Sequence, residues 1–456
     1  MNPSAFRQRR RDLLACALLA TNLFLILFSY YLLKTVRESW ILVAPEGVFF
    51  TGPKLKSLAT ALQALLLLAL VPFYARLSQR IEPRKLLLRF TGYFVLCMLG
   101  FALALGLSLP YFGFAFYVWL GTFNVAIIAQ FWSFATSVFS RDEAMKLFPT
   151  IGFGATAGGF VGAKAAGLLF SFGLSLPAII VLAAAILILH CGIYLWVGRL
   201  RRSARGETTG KEDALSGHAR AGSRLEGEEG RAIDGIRLVL RDAYLRWIVA
   251  LIVLLSVVNT TGEYLLSEAV VLEAKRALAL AGEVDPRAFT AAFIHDFYSD
   301  FYLAVNIAAI VLQVFVVGRL IRMGGIRAAL FILPILSFFA YGLVASSASL
   351  LLIKWVKIIE NGSDYSVMNT ARALLFLPTS EEEKWRARQV VDTIFVRFGD
   401  MLSFVLVALV GLLNLPLSVL ALLNLALVLV WAFAALQVNR GFELRSAGGL
   451  AQLASR

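Results

Sequence analysis

LRRSARGETTGKEDALSGHARAGSRLEGEEGRAIDGIRLVLRD, residues 200–242, is the one long polar stretch in an otherwise apolar chain. Its mixed charge, its glycines and serines and its few apolar residues read as a flexible linker, with a short surface helix near 233–240. Six apolar runs lie on each side of it, at 12–38, 55–76, 86–108, 111–137, 148–172 and 177–199, then 243–268, 293–318, 327–346, 349–376, 389–412 and 415–437. About 20 apolar residues cross a bilayer as a helix, so each run is long enough to span one. The runs do not alternate polar and apolar positions, which excludes a membrane β-barrel.

The bulk numbers agree. Of 456 residues 59% are hydrophobic and only 16% charged, well below the roughly 25% charged of a soluble domain. This excludes a soluble enzyme, a disordered chain and an ordinary nucleic-acid binder. The net charge of +14 comes from 43 Lys and Arg against 29 Asp and Glu. With twelve spans, the N-terminus cytoplasmic and basic residues at the span ends counted with the adjoining loops, 31 of the 43 fall on the cytoplasmic side, five outside and seven deeper within spans. The loop-charge rule therefore puts both termini in the cytoplasm. The basic start followed by Leu13–Leu33 is like a signal peptide, but it lacks a small-residue cleavage site and reads as a retained first span.

The two sets of six spans echo each other. SRDEAMKLF from Ser140 follows span 4, and SEEEKWRAR from Ser380 follows span 10, 240 residues later. ARLSQRIEPRK from Ala75 and GRLIRMGGIR from Gly318 follow spans 2 and 8. A repeated six-helix unit is the mark of the major facilitator fold, and Leu77, Arg80, Arg84 and Lys85 fit its pattern after span 2. The expected architecture is thus an all-α integral membrane protein with twelve transmembrane helices in two six-helix halves. Residues 1–199 form the first half, 200–242 the cytoplasmic linker, 243–440 the second half and 441–456 a cytoplasmic tail.

A charge in mid-membrane costs about 2.5–3.5 kcal/mol, so it persists where it meets water, a partner or a substrate. In span 10, Lys354, Lys357, Asn361, Asp364, Met368 and Arg372 recur every three or four residues, a spacing that puts them on one helix face. The stripe is about 27 Å long at 1.5 Å per residue and reads as a water-filled pathway; the plainer reading is a structural ion-pair network. Span 1 ends in SYYLLKTVRESW, where Tyr30, Lys34, Arg37 and Glu38 share a face. A Lys34–Glu38 pair would leave Arg37 as the free cation, and the plainer reading is anchoring at the membrane interface. Span 7 carries Asn259, Glu263 and Tyr264, with Glu263 the clearest unpaired carboxylate.

Cations equal or exceed acids along spans 1 and 10, so the pathway favours an anion, and Lys and Arg clamp phosphate and carboxylate groups well. Span 5 reads GFGATAGGFVGAK; Gly154, Gly158 and Gly162 form a small-residue ridge for helix packing, not a phosphate loop. Three cysteines and three histidines are too scattered for a metal site. No metal, cofactor or enzymatic activity is expected.

Three segments resemble the ATP/ADP translocase family of plastids and intracellular bacteria and its bacterial major-facilitator-like relatives. YYLLKTVRESWILV from Tyr30 is similar to the family's first-helix stretch, carried by Lys34, Arg37 and Glu38, with the following outer basic position at Lys54 or Lys56. FWSFATSVFSRDEAMKLFPTIGFGA from Phe131 resembles the signature across helices 4 and 5, with Glu143 acidic and Lys146 basic. DYSVMNTARALLFLPTSEEEKWRARQVVDTIFVRFGD from Asp364 resembles helices 10 and 11, with Lys384, Arg388 and Asp392 at charged positions. Glu263 matches the family's acid in helix 7. The segments cover about a quarter of the chain. It departs from the family at Asn369–Ala373, where the translocases carry a Pro-Thr-Lys-Glu-like run, and at Phe398-Gly399-Asp400.

The resemblance implies a secondary transporter of a bacterial inner membrane that moves an organic anion, a nucleotide in ATP/ADP-type exchange or a related phosphorylated metabolite, by alternating access. Lys34, Arg37, Glu263, Lys354, Lys357, Asn361, Asp364 and Arg372 would line the substrate site. Glu38, Lys56, Glu143, Lys146, Lys384, Arg388 and Asp392 would gate or couple it. The expected partners are that small anion and the lipid bilayer, with no nucleic acid and a monomeric chain. Two rival readings stay open: a proton-coupled facilitator of another metabolite or drug, with Glu263 or Asp364 carrying the proton, and a non-transporting sensor or assembly protein on the same fold.

Overall fold

The computed structural model describes residues 3–43, 52–81, 83–105, 109, 111–139, 141–204, 228–282, 284–346 and 348–454. Among them there is no strand. Linker residues 205–227 and the side chains of Lys146 and Lys384 lie outside the described part.

Six long helices come first: α1 (Pro3–Leu42), α2 (Pro53–Arg80), α3 (Pro83–Ala104), α4 (Phe112–Val138), α5 (Arg141–Ser171) and α6 (Leu176–Ala204). A short helix, α7 (Glu228–Arg241), closes the linker. The second six spans are α8 (Ala243–Leu280), α9 (Pro286–Val311), α10 (Gly318–Ala345), α11 and α12 (Leu350–Ser363 and Asn369–Leu375), α13 and α14 (Glu381–Val390 and Val396–Leu412) and α15 (Leu417–Ala454). Helix starts follow local chemistry. Proline opens α2, α3 and α9, where its missing N–H would be unsatisfied anyway. Asp242 and Asp285 cap α8 and α9 by accepting from Leu245 N and Arg287 N, as short acidic side chains do at N-caps.

Ten helical segments among the described residues are long and apolar enough to cross a membrane. One of them, Pro286–Ala345, holds two spans without a loop. Its turn is made at Gly325, with φ 62 and ψ −164, a conformation open essentially only to glycine. The sequence places a loop at 319–326, but one glycine there suffices. The tenth span, α11 with α12, carries too much charge to count as apolar. With these two, the twelve expected spans are present.

Among the described residues, the second half contains three wide π-helical turns: Leu312–Val317, Asp364–Met368 and Val391–Phe395. A π turn adds a residue to the helical turn, which rotates the rest of the helix by about 100°. The stripe expected from Lys354 to Arg372 is therefore not one continuous face. The turn at Asp364–Met368 breaks it, and Met368 is buried.

The chain forms two compact units. The first holds Met1–Val48, Ala69–Leu225 and Ala291–Leu303; the second holds Phe49–Leu68, Glu226–Thr290 and Ala304–Arg456. So the start of α2 packs with the second unit and part of α9 with the first. In the first unit α5 lies flush on α1. A Cβ on Gly154, Gly158 or Gly162 would come within 2.2, 2.2 and 2.6 Å of the carbonyl oxygens of Ala20, Phe24 and Phe28. The second unit's core includes Trp431, fully buried, with Leu251, Leu330 and Val367. Many large apolar side chains, such as Leu103, Phe339 and Leu412, point outward, as helices in lipid require.

Candidate functional site

The first unit gathers charge on α1. Lys34 and Arg37 are both buried, at 8% and 7% exposure, and Glu38 is fully buried. Arg37 Nη2 lies 2.6 Å from Glu38 Oε1, and the Arg37 guanidinium sits 4.0 Å from the Tyr117 ring centre on α4. The Lys34 ammonium lies 3.8 Å from the Tyr302 ring centre and 5.1 Å from that of Tyr31. Tyr302 also donates its hydroxyl to Glu38 Oε1 at 3.2 Å. The sequence offers Lys34 as the partner of Glu38 and leaves Arg37 over; the structure gives Arg37 that carboxylate as a partner. A guanidinium one residue away reaches the carboxylate, and the Lys34 stem points to the rings, whose faces attract a cation.

In the second unit α8 and α11 face each other through two rungs. Asn259 Nδ2 donates to Asp364 Oδ2 at 3.0 Å, and Asn361 Nδ2 donates to Glu263 Oε1 at 3.1 Å. Each rung joins one amide to one carboxylate, and residues four apart on α8 meet residues three apart where α11 runs into its π turn. Glu263 is not the unpaired acid read from sequence. Lys56 Nζ lies 3.9 Å from its Oε2 and donates to Ser267 at 2.8 Å.

Lys357 points elsewhere. At 2% exposure it forms an ion pair with Glu360 Oε2 at 2.5 Å, outside hydrogen-bond geometry. Ser337 donates to Glu360 Oε1 at 2.5 Å, and Tyr341 donates to the Val258 carbonyl at 2.8 Å. Glu360 was missed in the sequence, although its i, i+3 spacing from Lys357 was visible. Lys354 is half-buried.

Elsewhere in this unit, Arg372 donates to Asp392 Oδ1 at 2.8 Å, and Arg388 Nε lies 3.5 Å from Oδ2 of the same carboxylate. Asp400 accepts from Ser256 at 2.7 Å and Thr260 at 2.9 Å and pairs with Arg397 at 3.0 Å. Glu143 is described and half-buried, while the side chains of the expected Lys146 and Lys384 lie outside the described residues. Tyr302 was also missed, because only the fold brings α9 to α1. Among the described residues no group of histidine, cysteine and acidic side chains is placed to hold a metal ion.

No protein-family model and no curated protein matches the chain. Solved structures do. The nucleoside transporter NupG superposes with a TM-score of 0.61 at 13% identity, covering 92% of this chain and 98% of that one. The chain has the major facilitator fold. A bacterial homologue of the iron transporter ferroportin, inward-facing, gives 0.61 at 12% identity, over 93% and 98%. A POT family transporter in complex with 5-aminolevulinic acid gives 0.59 at 13% identity, over 94% and 96%. Identities this low carry the fold and nothing finer.

Proposed function

We propose that the protein is a secondary transporter that moves an organic anion, a nucleotide or related phosphorylated metabolite, by alternating access. The observation that carries this reading is the buried cluster on α1. Lys34 and Arg37 lie buried beside Glu38, amid the rings of Tyr31, Tyr117 and Tyr302. A buried ammonium and guanidinium side by side draw a phosphate or carboxylate, and aromatic faces suit a planar base. The fold supports transport, since solved proteins with this fold move nucleosides, peptides and iron. The resemblance of three segments to the nucleotide translocases supports the choice of substrate.

In this reading Lys34 and Arg37 bind the negative groups. Glu263, Lys354, Asn361 and Asp364 line the second unit's part, and Lys357 and Arg372 are engaged by Glu360 and Asp392 in the present state. Glu38, Lys56, Glu143, Lys146, Lys384, Arg388 and Asp392 gate the pathway. The halves are residues 1–199 and 243–440, with linker and tail in the cytoplasm of a bacterial cell, and the chain acts as a monomer.

The test is exchange in proteoliposomes loaded with unlabelled ADP and given labelled ATP or ADP. Saturable counter-exchange, reduced roughly tenfold or more by Arg37→Ala, is expected for the loss of one charge-assisted contact. Absence of saturable exchange with any phosphorylated compound would sink the reading. A second reading rests on Asp364, which accepts from Asn259 and makes no ion pair among the described residues. It is a proton-coupled transporter of another metabolite, and uptake that collapses with the pH gradient while ignoring internal nucleotide would favour it.

A further inference from the structure

The sequence reads 233–240 as a short surface helix at the end of a flexible linker. The structure gives that helix, α7, a partner. Gly235 and Val239 are buried, four apart and so on one face, and that face lies on α13. A Cβ on Gly235 would come 2.6 Å from Val390 Cγ2 and 3.2 Å from the Arg386 carbonyl oxygen. Val239, Ala387 and Val391 join one apolar core. The opposite face of α7, with Asp234, Arg237 and Arg241, is exposed. These residues, and all those named below, belong to the second unit.

Neither helix is built to stand alone. α7 has 14 residues, with glycines at 230 and 235. Helices this short are marginal in water, and an interior glycine weakens them further. α13 reads EEEKWRARQV, mostly charged, and the apolar side that it does have, Ala387 and Val390, is what α7 covers. Each helix is therefore ordered by the other. Glycine stands at 235 because a side chain there would part the two.

The junction of α7 with α8 is held as well. Asp242, the cap of α8, pairs with Arg445 of α15. The Arg445 guanidinium lies 4.8 Å from the Tyr244 ring centre. Tyr244 donates its hydroxyl to the Leu375 carbonyl at 2.7 Å, where α12 ends.

These two grips meet in one ion pair. α13 runs directly into the π turn Val391–Phe395, of which Asp392 is the second residue. Asp392 receives Arg372 of α12 at 2.8 Å, with Arg388 of α13 itself at 3.5 Å. Gly235 thus touches the element that carries Asp392, and Tyr244 the element that carries Arg372.

We infer that α7 is a brace for the Arg372–Asp392 contact: the segment 235–244 holds both elements that carry the pair, and loosening it lets them drift apart. Gly235, Val239 and Tyr244 are positioning residues. The last turns of the linker are then a part of the second unit and not of the tether. Nothing in this depends on which compound is transported.

The experiment uses the full-length chain in nanodiscs and needs no ligand. Amide hydrogen exchange, read by mass spectrometry, reports the docking, and both α7 and α13 are expected to be protected. Gly235→Leu should speed exchange about tenfold or more in both helices together while α8 stays protected, as for one locally opening unit. Gly235→Ala should loosen the pair less, and adding Val390→Ala, which removes the obstructing methyl, should restore protection. A thermal-shift assay on the same samples follows the spans. Should Gly235→Leu melt far below the parent chain, Arg445→Ala loosens the same junction and takes its place. Arg372→Cys/Asp392→Cys, joined by a short bifunctional thiosulfonate, then reads the approach of α12 to α13. In the loosened background that bridging should slow about tenfold, a change that mere loss of α7 structure would not produce. Exchange in the parent α7 as fast as in a free peptide overturns the inference. So does a loosened α7 that leaves α13 exchange and the bridging rate unchanged.

Discussion

Arg37 and Glu38 are neighbours in sequence and an ion pair in space, 2.6 Å apart, and Tyr302 of α9 donates to the same carboxylate oxygen at 3.2 Å. One carboxylate thus holds the cation that would otherwise be open to a ligand. Glu38→Gln keeps the shape and removes the competing charge. Anion affinity in the thermal-shift assay is expected to rise several-fold, about 1 kcal/mol, while exchange slows because the resting pair can no longer re-form. Unchanged or weaker affinity would show that Arg37 does not face the ligand. Tyr302→Phe removes a neutral donor that shares Glu38 with Arg37, leaves that ion pair tighter, and should give a smaller change in the opposite direction.

The Lys357–Glu360 pair allows a sharper test of position against binding. Removing one partner of a buried pair costs about 3–5 kcal/mol, whereas replacing both by apolar groups is often neutral. Lys357→Met alone leaves Glu360 charged and fully buried; its apparent Tm in detergent should fall markedly and its yield drop. Lys357→Met/Glu360→Met should recover most of the loss. A double variant no more stable than the single one would mean that Lys357 contributes through some contact other than Glu360.

The physics of the spans was legible from hydropathy and loop charge alone, because lipid admits only long apolar helices here and the linker at 200–242 divides them six and six. The site was legible by residue type but not by pairing. Lys34, Arg37, Glu38, Glu263 and Asp364 announce themselves as charges where charge is costly. Which one meets which depends on features that periodicity does not encode. The π turn at Asp364–Met368 shifts the register of the tenth span, Tyr302 arrives from a helix over 260 residues away, and Lys56 reaches Glu263 because the start of α2 packs with the second unit. Glu360 escaped because an acid three residues from a lysine reads as a routine helix pair, and only burial makes it consequential.

The glycine ridge of α5 gives a prediction independent of substrate. A Cβ on Gly158 would sit 2.2 Å from the Phe24 carbonyl oxygen and 2.9 Å from its Cα, both backbone atoms that cannot turn aside. Gly158→Val must push α5 off α1, and overpacking of this kind costs about 1–3 kcal/mol or more. Folded yield in membranes is expected to collapse. Gly152→Ala, on the same helix with nothing within 4 Å of its added Cβ, should be tolerated. Equal yields for the two would mean that α1 and α5 do not touch along this ridge in the membrane.

The last prediction concerns the Arg372–Asp392 contact at 2.8 Å, which Arg388 shares at 3.5 Å. It ties the tenth span to the eleventh at the π turn Val391–Phe395. Its groups are partly exposed, so the pair contributes little to stability, and its value lies in holding one conformation. Asp392→Asn should leave the Tm within a degree or two, about the effect of a few tenths of a kcal/mol in a large domain, yet change the exchange rate. Arg372→Asp sets a second carboxylate against Asp392 with only Arg388 to offset the repulsion, and should slow exchange roughly tenfold. The swap Arg372→Asp/Asp392→Arg restores the attraction with reversed sense and should recover most of that rate, the coupling a double-mutant cycle isolates. If the swap is no faster than Arg372→Asp alone, Arg372 acts through the ligand and not through Asp392.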